Sequence, residues 1–394
     1  MTTEALLEEA EGLRARLVEF RRELHRFPEL SMQEVETTRK IREALAEEGI
    51  KVLPLALRVG VLAEIEGAGP GPTVALRADI DALPIMEETG LPFASELEGK
   101  MHACGHDFHT SAILGSAILL QRYRHLLQGR VRLLFQPGEE KGIGAKAMLD
   151  AGALDGVQAI FGMHNKPDLP VGTIGLKPGA LMASVDGFRI KVSGKGGHAA
   201  IPDAAIDPIV AASAIVGGLQ TAISRSISPF DSAVLSVCSF HAGTSWNVIP
   251  DEAVLDGTVR TFRPEVRAQI PKLLERIASG IAGGYGARIE LSWFAGIPSV
   301  HNDEEAVGIV REAAESIGLT VTDALPSAGG EDFAHYQEKI PGCFIWMGTE
   351  GTEEWHHPKF TLNEEALVPA AALFARTAHL ALERGRKLTG AAVG

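Results

Sequence analysis

Cysteine is scarce in this 394-residue chain, whose three thiols are Cys104, Cys238 and Cys343. An odd number spread this widely excludes a disulfide framework and leaves each thiol to be read singly, as reduced. Positive charge is also in deficit. Lys and Arg total 37 against 51 Asp and Glu, a formal net charge of −14. A surface of that sign repels phosphate backbones and anionic lipid, so neither nucleic acid nor a membrane is expected as partner. Long apolar runs are missing too, since the longest, residues 112–120, falls far short of the roughly 18 that span a bilayer. The opening residues Met1-Thr2-Thr3-Glu4-Ala5-Leu6-Leu7-Glu8-Glu9 are acidic and amphipathic where an export signal is basic and then apolar, which leads us to expect a cytoplasmic protein. What remains, 45% hydrophobic and 22% charged residues, is an ordinary globular composition. The length predicts two to three domains at roughly 150 residues each.

Apolar residues at helical spacing, including Leu13, Leu17, Phe20 and Leu24, predict helices over 4–27 and 33–49, with Pro28 closing the first. Short β-type runs at 73–78, 130–135 and 159–163 then alternate with helical runs near 110–122 and 145–150. This alternation predicts an α/β domain with a mostly parallel sheet flanked by helices. After Gly179 the pattern becomes strand 188–192, helix 207–224, strands 233–240 and 253–262, helix 265–282 and strand 288–293. That βαββαβ order is the split-βαβ, ferredoxin-like α+β unit. Residues 185–294 are therefore expected to form an inserted domain between the two parts of the first, 1–184 and 295–394. A helix near 304–317, a strand at 344–347 and a terminal helix from Glu364 return the chain to α/β character. Gly67-Ala68-Gly69-Pro70-Gly71-Pro72 reads as a turn or loop.

The densest polar cluster is Met101-His102-Ala103-Cys104-Gly105-His106-Asp107-Phe108-His109. Thiolate and imidazole are ligands of a borderline-soft divalent cation, and Gly105 permits the turn that aims both at one place. The plain alternative is a histidine-rich surface loop beside a buried cysteine. Other segments change the balance. Strand 130–135 runs into Gln136-Pro137-Gly138-Glu139-Glu140, strand 159–163 delivers His164, strand 73–78 delivers Asp79 and Asp81, and strand 344–347 precedes a loop with His356 and His357. Any one of these reads as a solvated loop charge. Four strands sending ionisable groups to one sheet edge, where ligands of open α/β sheets bind, point to a metal site. Such a set suits two metals about 3.5–4 Å apart that activate a shared water. One of Glu139 and Glu140 would then coordinate while the other takes the water proton, and spacing alone does not say which. No Gly-x-Ser-x-Gly elbow, Walker loop, dinucleotide fingerprint or His-Glu-x-x-His is present. Cys104 as a nucleophile would leave the surrounding carboxylates and imidazoles without a role.

The segments Arg77-Ala78-Asp79-Ile80-Asp81-Ala82-Leu83-Pro84, His102 to Asp107, Gln136 to Glu140, Gly162-Met163-His164, Gly196-Gly197-His198-Ala199-Ala200, Asn247-Val248-Ile249-Pro250, Gly329-Gly330-Glu331-Asp332-Phe333 and His356-His357-Pro358-Lys359-Phe360 together resemble the amidohydrolase branch of the M20 metallopeptidases. That branch includes aminoacylases, hippurate hydrolases, carboxypeptidases and auxin-conjugate hydrolases, and the likeness runs from about His25 to Leu367. It implies that 1–184 and 295–394 form a catalytic domain and 185–294 a lid that often forms the dimer, so a homodimer or homotetramer is expected. It further implies that Cys104 bridges two divalent ions, with His106 and Glu140 on one and His164 and a carboxyl-terminal histidine on the other. By the same likeness Glu139 is the general base, Asp81 orients ligands, His198 stabilises the oxyanion, and Asn247 and Arg260 bind substrate, Arg260 through its α-carboxylate. The closing motif usually has a single histidine two residues before proline. Here two stand in succession, and motif spacing favours His356 over His357.

The implied reaction is hydrolysis of an N-acyl-L-amino acid, hippurate-like or N-acetylated, to a carboxylic acid and a free amino acid. Zn²⁺ or Mn²⁺ is the expected metal, with Co²⁺ and Ni²⁺ also compatible. A dipeptidase or carboxypeptidase acting on short peptides with the same centre is the near alternative. A metal-bound receptor without catalysis is the distant one, disfavoured by the presence of both base and ligands. His25, His125, His241, His301, His335 and His379 fall outside the motifs and are read as surface or packing residues, and Cys238 and Cys343 as core.

Overall fold

The computed structural model describes residues 2–385. The chain divides into two compact units, one made of the residues up to Leu181, His301–Leu325 and the chain from Asp332 onward, the other of Met182–Val300 and Pro326–Glu331.

The first unit is built on an eight-stranded mixed sheet in the order Lys51–Val52, Val61–Glu66, Gln128–Gln136, Gly69–Asp79, Ala159–Lys166, Gly342–Gly348, Thr173–Leu176, Thr320–Asp323. Four adjacent strands at its centre, Gln128–Gln136 to Gly342–Gly348 in that order, run parallel. Their carboxyl ends therefore share one edge. Asp79 pairs in register with Gln136, and His164 with Trp346. These strands are buried along most of their length, as parallel strands covered on both faces must be. Helices His106–Arg122 and Leu367–Arg384 are buried on nearly every side, the signature of a core helix rather than a surface one. Gly115 lets them approach, because a Cβ there would lie 2.8 Å from both Ala371 Cβ and Leu17 Cδ1. Among the described residues, no helix is long and apolar enough to cross a membrane.

The second unit has an antiparallel sheet in the order Ala233–Ala242, Glu252–Thr261, Ser184–Ser193, Arg288–Phe294. Helices Pro208–Ser226 and Pro264–Gly284 connect its strands. Alternate residues of Ser184–Ser193, Phe188, Ile190 and Val192, are buried in a core with Ala211, Ile215 and Leu219 of the first helix and Ile270 and Leu274 of the second. A period of two on the strand meets a period near 3.6 on the helices.

Three sequence expectations are corrected. The run 4–27 forms two helices, Thr3–Gly12 and Arg14–Arg26, because Leu13 N–H bonds three residues back to Ala10 O at 3.1 Å and tightens the turn after Gly12. Gly69-Pro70-Gly71-Pro72 is not loop but the start of strand Gly69–Asp79, with a register shift between Gly69 and Thr73. Cys238, expected in the core, is exposed. Leu235 and Val237 of its edge strand take the core face, so alternation leaves Cys238 on the outer one, where pairing slips between Val237 and Ser239. Cys343 is buried.

The turn leaving strand Gln128–Gln136 packs tightly against the start of helix Gly144–Asp150. Gly144 N–H donates to Gly138 O at 3.1 Å, and a Cβ on Gly144 would overlap the carbonyl oxygen of Pro137. Gly144→Ala should lower stability by about 1–3 kcal/mol, read as a lower midpoint in a urea melt. An unchanged midpoint would mean that the Pro137 backbone yields freely.

Candidate metal centre

Glycines shape both ligand-bearing turns at the sheet edge. Gly105, with φ +80°, precedes helix His106–Arg122, and a Cβ there would come within 2.5 Å of Asn165 Nδ2. The turn leaves donor atoms of Cys104, His106 and His164 within 4.8 Å of one another, Cys104 Sγ being 3.3 Å from His164 Nε2. Gly138 (φ +67°) and Gly142 (φ +64°) bracket the single 3₁₀ turn Glu139–Lys141. That turn sets Glu140 Oε1 3.8 Å from His106 Nε2 and Glu140 Oε2 3.5 Å from His356 Nε2. Cys104, Glu140 and His356 form a second group of close donors, and His106, Glu139 and Glu140 a third. His356 adopts φ +66°, a left-handed conformation that costs a non-glycine residue about 1–3 kcal/mol. Its N–H is held by Ala103 O at 2.9 Å. His357 is used locally, its Nδ1 accepting the Lys359 N–H at 3.1 Å. The structure thus brings Cys104, His106, Glu139, Glu140, His164 and His356 together, with His356 rather than His357 facing the group.

Asp81 organises one side of this cluster. Its carboxylate accepts from Ser31 Oγ (2.6 Å), His106 Nδ1 (3.2 Å), Glu139 N–H (3.2 Å) and Glu140 N–H (3.1 Å). One buried group therefore fixes both the ring of His106 and the turn carrying the two glutamates. On the other side His164 Nδ1 donates to Asn165 O at 2.9 Å, leaving the Nε2 lone pair towards Cys104. Such outer hydrogen bonds select the tautomer and orient a ligating imidazole.

Electrostatics explain what the cluster lacks. Burial, reinforced by Glu140, Glu139 and Asp79, pushes the Cys104 thiol well above its ordinary value, so it keeps its proton unless a cation lies beside it. Burial holds His164 well below the usual imidazole range and therefore neutral. Burial also opposes the charged form of His106, but Asp79, Asp81 and Glu140 outweigh it and hold the group up at about 10. Among the described residues, His106 Nε2 and Glu140 Oε1 are both buried without a hydrogen-bond partner. A proton meets their charge, and a metal ion would displace it. Thiolate, imidazole and carboxylate donors converging around orphaned atoms fit divalent cations of the zinc type.

The sequence delivers Asp79 to this edge and His109 to the polar cluster, but not the partners that hold them. Asp79 is paired with Arg77 Nη1 at 2.6 Å, two residues back on the same strand face, and Arg77 Nη2 also reaches Asp332 at 2.9 Å. His109 donates from Nδ1 to Asp79 at 2.6 Å and accepts the Asn165 N–H on Nε2 at 2.9 Å. With both ring nitrogens committed, it supports the cluster rather than joining it. His25 is a packing residue rather than a surface one: it is buried between Asp107 (2.8 Å) and Glu87 (3.2 Å), with Phe93 edge-on at 5.6 Å.

The three remaining expected site residues belong to the second unit, and none is among the converging donors. His198 is exposed on the short strand Gly197–His198, its Nδ1 accepting the Ala200 N–H at 3.1 Å. Asn247 is exposed and accepts from Ser245 Oγ at 2.8 Å. Arg260 donates to Thr258 Oγ1 at 2.5 Å and Val259 O at 3.1 Å. Among the described residues it has no carboxylate partner.

Residues 75–380 match the profile of peptidase family M20/M25/M40. An N-acetylcysteine deacetylase of Bacillus subtilis is 59% identical over 369 residues, covering 93% of this chain and 97% of that protein. Thermostable carboxypeptidase 1 of Saccharolobus solfataricus is 39% identical over 360 residues, covering 89% and 91%. The crystal structure of a Bacillus subtilis protein described as a dinuclear metal-binding peptidase from the M20 family superposes with a TM-score of 0.88 at 56% identity, covering 95% of this chain and 99% of that one. With that coverage and the ordered motifs, the chain belongs to peptidase family M20/M25/M40 and is a hydrolase.

Proposed function

We propose that this enzyme is a metal-dependent amidohydrolase that cleaves N-acyl-L-amino acids into a carboxylic acid and a free amino acid. The observation that carries the reading is the pair of orphaned donors, His106 Nε2 and Glu140 Oε1, set among Cys104, His164 and His356 beside Glu139. Two divalent ions, Zn²⁺ or Mn²⁺, would be held with Cys104 shared; the converging donors pair His106 with His164 for one and Glu140 with His356 for the other, which corrects the division that the resemblance implied. When bound they supply carbonyl polarisation and acidify a shared water.

The chain's own residues do the rest. Glu139 takes the proton of the attacking water and passes it to the leaving amine nitrogen. Asp81 keeps His106 and the Glu139–Glu140 turn in place through the four bonds described above. His198 stabilises the developing oxyanion. Arg260, whose guanidinium has among the described residues only a hydroxyl and a carbonyl for partners, receives the substrate α-carboxylate, and Asn247 contributes to the same binding surface. The second unit serves as lid and dimerisation domain. Phe230 and Trp246 there are 96% and 94% exposed, large apolar side chains whose burial a homodimer would provide. The similarity to an N-acetylcysteine deacetylase favours acylated amino acids. Peptide cleavage with the same centre is the second reading, supported by the likeness to a carboxypeptidase. Turnover of an N-acetyl amino acid in preference to a free dipeptide separates the two.

Glu139→Gln should abolish turnover while metal content stays near normal, because the amide keeps the shape but takes no proton. Glu140→Gln should instead lower metal occupancy. Metal analysis beside initial rates checks both, and equal metal loss in the two variants would contradict this division of labour.

Arg260→Ala should raise KM for an acyl amino acid at least tenfold, the ordinary effect of losing a charge-assisted pair worth about 1.5–3 kcal/mol. It should leave an analogue whose carboxylate is amidated almost unaffected. Equal losses on both substrates would remove Arg260 from carboxylate binding.

A further inference from the structure

Asn165 follows His164 at the end of strand Ala159–Lys166, is fully buried, and touches every ligand-bearing segment except the glutamate turn. Its Nδ2 donates to Cys104 O at 2.5 Å. Its Oδ1 accepts the Trp355 indole N–H at 3.2 Å, and Trp355 immediately precedes His356. The two partners fix the amide's orientation, since exchanging oxygen and nitrogen would set carbonyl against carbonyl and N–H against N–H. The backbone of Asn165 adds three more ties. Its N–H donates to His109 Nε2 (2.9 Å), and its carbonyl accepts from His164 Nδ1 (2.9 Å) and from Trp355 Nε1 (3.1 Å). The side-chain Nδ2 also lies 3.1 Å from His109 Nε2. The backbone bonds would survive a substitution, whereas those donated by Nδ2 would not.

Sterics point the same way. Gly105 lies so close to Asn165 Nδ2 that neither position tolerates added bulk. Trp355 also packs edge-on against His164, with ring centroids 4.5 Å apart. Displacing the indole therefore disturbs His164 as well as His356.

We propose that Asn165 is a positioning residue whose side-chain amide sets the separation of the Cys104 and His356 segments about His164, and so tunes metal affinity at that side of the centre. This rests on the metal reading above but not on any substrate. Breaking such an outer hydrogen bond to a ligand segment typically costs 10–100-fold in metal affinity.

The test is titration of metal-stripped protein with Co²⁺, followed through its visible d–d bands and its near-ultraviolet thiolate charge-transfer band, for wild type, Asn165→Ala and the isosteric Asn165→Asp. Asn165→Asp retains the acceptor for Trp355 and sets an oxygen against Cys104 O. The expected result is that both variants bind the weaker of the two ions about 10–100-fold less tightly, with shifted d–d and charge-transfer bands. If Asn165→Ala loses its near-ultraviolet circular dichroism, Asn165→Asp alone decides. Unchanged affinity and spectra in a folded variant would overturn the proposal. Failure of wild type to bind Co²⁺ would instead overturn the metal reading itself.

Discussion

Buried negative charge is the constraint around which the first unit is arranged. An ionised carboxylate taken out of water must be paired or hydrogen-bonded. Arg77 meets the charge of Asp79, and four donors meet that of Asp81. Beyond them the balance runs out. Glu140 Oε1 and His106 Nε2 face each other at 3.8 Å without a hydrogen bond, and the buried Cys104 thiol cannot ionise among carboxylates. Divalent cations resolve all of these together. Bound at these residues, they would supply the missing positive charge, and His106 would be held neutral and Cys104 as thiolate.

The sheet topology makes that concentration of charge possible. Four parallel strands share one carboxyl edge, so residues distant in sequence meet there without any long excursion of the chain. Glycines with positive φ at 105 and 138 then turn the chain sharply enough for adjacent residues to reach one point. Rigid strands carry the turns, and a layer of outer hydrogen bonds from Asp81, Asp79 and Asn165 aims the side chains.

Much of this was legible in the sequence because its signals were local. Cys104-Gly105-His106, the adjacent glutamates after an apolar run, and His164 at the end of another each declared both an element and its terminus. The antiparallel unit was legible for a similar reason, since the alternation of Phe188, Ile190 and Val192 survives in the burial of the folded strand. What escaped depended on partners far away in the chain. Asn165 looks like any loop amide until Cys104 and Trp355 are placed around it, and His25 is unremarkable until Asp107 and Glu87 close on it. Cys238 sits in a strand pattern that promised burial, but Leu235 and Val237 take the core face of that edge strand and leave it on the other. Glycine and proline at 69–72 suggested a loop. Their close approach to Gln128 and Gly129 instead begins the longest strand of the sheet.

The most direct measurement is anomalous diffraction from crystals of the protein loaded with Zn²⁺. Two peaks are predicted per chain, each about 2.3 Å from Cys104 Sγ, one also bound by His106 and His164 and the other by Glu140 and His356. A single peak, or two peaks neither of which touches Cys104, would contradict the shared-thiolate centre.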